Sequence, residues 1–174
     1  MNKIITKIKK FIKRIRKVLF GDFIKISGYV KIDHRNSAGD LLSSTGWMKN
    51  TITNAALAVV SGLVGNVDTQ TAFAYLALGT DSTAESAAHT ALQAEISDGG
   101  LERAAATVSR QTTNQTNDTL QLYRVWTATG SKTIEEIGTF NDASAGSMLG
   151  RKLTTTKTVT SGDAVVATYK FVFS

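Results

Sequence analysis

Two histidines, His34 and His89, are the side chains from which general-base or metal chemistry would first be built. They stand in separate polar stretches, with no histidine at i+4 and no HExxH pattern, so both read as solvated residues. Glu135 and Glu136 are adjacent carboxylates, and glycoside hydrolysis needs two carboxylates across a cleft. Neighbours on a strand point to opposite faces, however, so these two cannot serve together. Ser147 follows Gly146 but lacks the flanking glycines of a nucleophile elbow, and neither a GKS/T phosphate loop nor GxGxxG is present. The acidic stretches at 81–85 and 141–142 lack EF-hand spacing. With no cysteine anywhere, thiolate metal sites, Cys nucleophiles and disulfides are excluded. The reading therefore assigns no catalytic, cofactor-binding or metal-ligating residue and expects a protein that is not an enzyme. Trp47, Tyr123 and Trp126 could form a sugar platform, yet large aromatics in strands more often complete a core or an interface.

The charge is concentrated in one place. Residues 1–20 hold eight of the 20 basic side chains and none of the 14 acidic ones, which leaves 12 against 14 in the rest. The net charge of +6 thus belongs to the first segment, and the body is close to neutral. At 100° per residue, Ile4, Ile5, Ile8, Phe11, Ile12, Ile15, Val18 and Leu19 fall within an arc of roughly 140°, with every Lys and Arg outside it. The pattern predicts a basic amphipathic helix over residues 1–21, ended by Gly21. Charges interrupt any stretch that could act as a secretory apolar region, and the longest apolar run elsewhere, 55–64, is too short to span a bilayer. The segment's docking surface is assigned to Ile4, Ile8, Phe11, Ile12, Ile15 and Leu19, flanked by Lys10 and Arg14. Protein is the expected occupant: the body itself, copies of the chain with three stripes bundled at a symmetry axis, or another subunit. A membrane surface or nucleic acid are lesser alternatives; phosphates would leave the apolar stripe without a partner.

The body, residues 22–174, changes period. Residues 23–32 read as a strand bulged or kinked at Gly28, 34–40 as a turn, and 41–48 as the returning strand. Residues 50–65 combine polar caps, an Ala/Leu/Val interior and terminal glycines, which predicts a buried helix. Strands follow at 73–78, 101–111, 119–129, 133–140, 147–159 and 164–173, with turns at 112–118 and 141–146. The stretch 79–100 is either a surface loop or one with a helical turn over 85–95. In the last strand Val165, Ala167, Tyr169, Phe171 and Phe173 alternate with a mixed face. The expected fold is mainly β: a β-sandwich of about eight strands with one internal helix, preceded by the N-terminal helix.

In order, the body carries Trp47-Met48-Lys49-Asn50, the apolar run 57–64, Tyr75-Leu76-Ala77-Leu78-Gly79-Thr80-Asp81, Leu92-Gln93-Ala94-Glu95 with Arg103, and Glu136-Ile137-Gly138-Thr139-Phe140-Asn141 followed by Gly146-Ser147-Met148-Leu149-Gly150-Arg151. These segments resemble a family of small tailed-phage virion proteins with WMKN, LGTG, L-x-x-E and EIGLFD…G-x-ML-x-R elements. Asp81 and Thr139 depart from that pattern, at a turn and a core contact. The EIGLFD-type element is also similar to one in the N-terminal regions of phage tail-fibre proteins. The resemblance implies a virion structural protein assembled in the host cytoplasm, with phage coat or tail proteins as partners, and it transfers no catalytic residue. Within that class the reading favours a capsid-bound decoration or head-fibre subunit docked through residues 1–20. The alternatives are a tail or fibre-base component and a host-surface glycan-binding adhesin.

Overall fold

The computed structural model describes residues 24–174, together with Ile5. Otherwise the helix expected over residues 1–21 lies outside the described residues. The elements run β1 (Ile26–Arg35), β2 (Leu41–Ser44), β3 (Met48–Lys49), β4 (Thr51–Ile52), α1 (Asn54–Gly65), β5 (Tyr75–Gly79), β6 (Ala104–Ala105), β7 (Thr107–Gln111), β8 (Thr119–Thr127), β9 (Lys132–Phe140), β10 (Met148–Val159) and β11 (Ala164–Phe173). Among the described residues there are eleven strands where about eight were expected. Four of them, β2, β3, β4 and β6, are two to four residues long, too short to print a period on the sequence.

Two antiparallel sheets share one core. The first has the order β2-β1-β11-β8-β7, with β3 also on β1; the second is β4-β10-β9-β5-β6. Along β11 the expected alternation holds, since Val165, Ala167, Tyr169 and Phe171 are fully buried between the sheets. They meet Val30 and Ile32 of β1, Leu122 and Trp126 of β8, and Leu76, Leu78, Ile134, Ile137 and Leu149 of the opposite sheet. Each such side chain contributes about 1.5–3 kcal/mol by leaving water, which makes this shared layer the main source of cohesion.

Three expectations are corrected. Gly28 is neither bulge nor kink: β1 pairs regularly with β11 through it, and its missing side chain makes room for Asn50, whose Oδ1 would lie 1.8 Å from a Cβ there. The helix begins at Asn54, because Asn50 turns inward to donate from Nδ2 to the Tyr169 hydroxyl (2.8 Å) while Thr51 and Ile52 pair with β10. Thr53 is its N-cap and Asn66, left-handed at φ 50°, its C-cap. Nor is that helix buried all round; Ala56, Val59 and Gly62 are buried and Val60 packs partly against the core, whereas Leu57, Leu63 and Val64 face solvent. The stretch 79–100 is irregular without a helical turn, tied to β5 by a bridge between Gly79 and Glu95.

The returning strand expected over 41–48 is present but broken. β2 and β3 lie along the same edge of β1, and between them Thr45 takes over the ladder, its N–H donating to Ile32 O and its Oγ1 accepting from Ile32 N (both 3.0 Å). Gly46 then bends the chain at φ 62°, a conformation glycine adopts at little cost, and Trp47 is carried out of the edge.

Candidate functional site

The eight residues assigned to docking, Ile4, Ile8, Lys10, Phe11, Ile12, Arg14, Ile15 and Leu19, all lie outside the described residues. Lys25 and Ser174 exchange backbone hydrogen bonds (2.7 and 2.9 Å) at one end of the β1–β11 pair, so the continuously described body begins at that end of the first sheet.

Inside, the most strongly built constellation centres on Arg151. It is fully buried on β10, and its Nε donates to Oε2 of Glu136, equally buried on β9, at 2.5 Å. Arg151 Nη1 reaches Thr83 O (2.9 Å) and His89 Nδ1 (3.3 Å), and Nη2 faces Asp81 at 3.7 Å. The Glu136 carboxylate also accepts from the backbone N–H groups of Ala94 (2.9 Å) and Gln93 (3.3 Å). Every one of these partners outside the hairpin belongs to 79–100, so the pair fastens that long connection to the sheet. Gly79 belongs to the same device, since a Cβ there would lie 2.4 Å from Glu136 Oε1. A guanidinium and two backbone amides thus take up both Glu136 oxygens in a dry interior, and the carboxylate serves as the joint between loop and sheet.

Two further ties close the connection. Glu85 accepts from Thr51 Oγ1 (2.8 Å), Lys152 Nζ (2.5 Å) and Leu153 N (3.1 Å). Desolvation opposes its ionisation, but the Lys152, Thr51 and Leu153 bonds outweigh it and hold its carboxyl below the ordinary range. Glu95 takes a two-pronged pair from Arg103 (2.8 and 2.5 Å), whose guanidinium lies 3.6 Å from the Phe140 ring centre and donates on to the carbonyls of Asp142 (3.1 Å) and Ala145 (2.6 Å). Segments far apart in the chain (79–81, 92–95, 103, 136–141 and 151) therefore converge on one clamp. At Gly138 it is side chains, not another backbone, that close in: a Cβ would meet Leu92, Phe140 and Met148.

His34 corrects the expectation of a solvated histidine. β1 runs on through it, so it is buried, with Nε2 3.0 Å from Asp163 Oδ2 in the β10–β11 turn. The Thr160 amide first, and His34 second, pull the Asp163 carboxyl below its usual range. Lys157 is also buried, its Nζ donating to Ser43 Oγ at 2.9 Å; burial pushes its pKa down and Asp33 works against that shift. Glu135 and Glu136 do face opposite ways: Glu135 accepts from Thr156 Oγ1 at the surface. Among the described residues no three His, Asp or Glu side chains are grouped to hold a metal, and no helix is long and apolar enough to cross a membrane.

The three aromatics separate. Trp126 is 2% exposed and donates from Nε1 to Glu102 O (2.8 Å), a core residue; Tyr123 and Trp47 are 40% and 50% exposed. Trp47 lies over the outward face of the first sheet, where Lys170 Nζ sits 5.0 Å from its ring centre. Beside them a cleft of about 410 Å³ opens toward the 112–118 turn. Sequence reasoning missed the clamp because its partners are 8 to 68 residues apart and no common spacing relates them.

Compared with models of protein families, residues 45–170 match the one described as podophage GP4 fiber I protein gp80. No curated protein and no solved structure matches the chain.

Proposed function

Since the chain belongs to the podophage GP4 fiber I protein gp80 family, a family of phage fibre structural proteins, we propose that it is a non-enzymatic fibre subunit: residues 22–174 supply the rigid body and residues 1–21 attach it to the particle. The family match carries the reading, and it accounts for well over half of the chain. The body fits such a part. Its strongest charged groups are spent on holding a loop to a sheet, which gives stiffness without a reactive centre. The anchor fits as well, because eight cations beside eight apolar residues on a helical arc make a surface that needs a partner, and the near-neutral body supplies no charge to match it. The favoured partner is a coat or tail protein of the virion. A capsid-borne position and a tail-borne one both accommodate a fibre; the head-borne decoration remains the preferred arrangement, an 18.6 kDa body on one arm suiting repetitive attachment.

Deleting residues 2–21 tests this directly. The truncated protein is expected to fold and to be missing from purified particles, and electron microscopy of particles carrying a tagged full-length chain should place the tag on fibres. Normal incorporation of the truncated protein would overturn the anchoring role.

A further inference from the structure

The outward face of the first sheet has a feature that neither stiffness nor anchoring uses. Its floor is the outward row of β1 and β11, where Tyr29 pairs with Lys170 and Val172 stands two residues further on. One wall is Trp47, carried out by the bend at Gly46; the other is Thr113 and Asn114 in the β7–β8 turn. The cleft is open to solvent, and its volume, about 410 Å³, falls within the range of small-ligand sites.

Each part is chemically committed. A tryptophan that is 50% exposed contributes little to the core, and it offers an electron-rich face to the C–H groups of a flat, partly apolar ligand. Lys170 sits against that indole and makes no ion pair among the described residues, so its charge is available to an incoming anion. No acidic side chain lines the cleft. Asp118, which stands close by in sequence, spends its carboxylate on the backbone N–H groups of Thr113 (2.8 Å), Asn114 (2.7 Å) and Gln115 (2.8 Å). That makes the far wall rigid, and the Asn114 side-chain amide has no protein hydrogen-bond partner among the described residues. An aromatic platform, a lone cation and free amide donors and acceptors on a preformed wall suit one ligand class well: a sugar ring bearing a carboxylate.

We propose that this cleft binds an acidic saccharide, its ring stacked on Trp47, its carboxylate on Lys170 and its hydroxyls on Asn114 and Thr113. The site goes beyond the fibre role and does not rest on it; anchoring could fail its test while the cleft still binds sugar, and the reverse.

The experiment is an amide-resolved NMR titration of the full-length protein with tetragalacturonate, its methyl ester and neutral maltotetraose. Tetragalacturonate should shift Gly46, Thr113 and Asn114 saturably, with a Kd of about 1 mM as befits a shallow site. Lys170→Gln should weaken it about tenfold and abolish the preference over the methyl ester. Trp47→Ala should remove saturable binding of all three while leaving the melting temperature unchanged, because the side chain lies outside the core. Absence of saturable shifts with any probe overturns the site. Equal binding of acid and ester overturns the acidic class, and binding that survives Trp47→Ala places the ligand elsewhere.

Discussion

Arg151 and Glu136 face each other across the β9–β10 hairpin at 2.5 Å with neither side chain open to solvent, and between them they hold the loop 79–100 by Thr83, Gln93 and Ala94. A buried ion pair of this kind earns little net stability over an apolar pair, but its halves cannot be separated cheaply. Arg151→Met should therefore destabilise the body by about 3–5 kcal/mol in urea unfolding, whereas the double change with Glu136→Leu should recover much of that loss. Hydrogen exchange of residues 79–95 should quicken in both variants, since the loop loses its fastening either way. A single variant as stable as the parent would remove the clamp from the account.

The core prediction contrasts two apolar positions. Phe171 is fully buried and stacks on Tyr169 with ring centres 4.9 Å apart, so Phe171→Ala should cost about 3–5 kcal/mol. Val64, at the end of α1, is 82% exposed, and Val64→Lys should change stability by no more than about 0.5 kcal/mol while raising solubility. Thermal melts followed by circular dichroism would separate the two.

The same contrast explains what the sequence disclosed. β11 could be read from end to end because its two faces differ in hydrophobicity, and period 2 survives any detail of packing. The helix was legible as a helix but not in its exposure: an all-apolar run of Ala, Leu and Val has no polar stripe to tell which side meets water. His34 was hidden by composition, since the HRNSAGD stretch looks like a turn although its first two residues complete β1. Of the clamp, the motif segments were visible and their meeting was not. Arg151 pairs with Gly138 and Glu136 with Leu153, so the two meet as diagonal neighbours in a register that only the folded hairpin sets and that leaves no trace in a pattern of residue types.

Acid should act on the 112–118 turn in a defined window. Desolvation disfavours the Asp118 anion, yet the amides of Gln115, Asn114 and Thr113 prevail and lower its pKa to about 2 from an ordinary 3.8. A carboxyl depressed on folding adds stability that is complete above its unfolded value and is lost as the pH falls toward the folded one. The Thr113, Asn114 and Gln115 amide resonances should thus hold their positions down to about pH 3 and move only as the pH approaches about 2. Asp118→Asn should release the turn at neutral pH. If these amides titrate near pH 4, the carboxylate is not what orders them.

The last prediction concerns the segment before the body. Ile8 and Ile15 lie 20° apart on the helical arc, at the centre of the apolar stripe. Replacing both by Asp puts two charges where any partner protein must exclude water, and an isolated helix of this length gains too little from its own hydrogen bonds to compensate. The body should keep its melting temperature, because the buried residues of its main core all lie between Val30 and Phe171. Light scattering of the full-length parent should report an oligomer, with three copies the expected number, and the double variant should be a monomer missing from purified particles. Raising the salt should not dissociate the parent oligomer, since apolar contact is not screened whereas attachment to phosphate or an anionic membrane is. An assembly that dissolves with salt and ignores Ile8 and Ile15 would transfer the anchoring role to the cations.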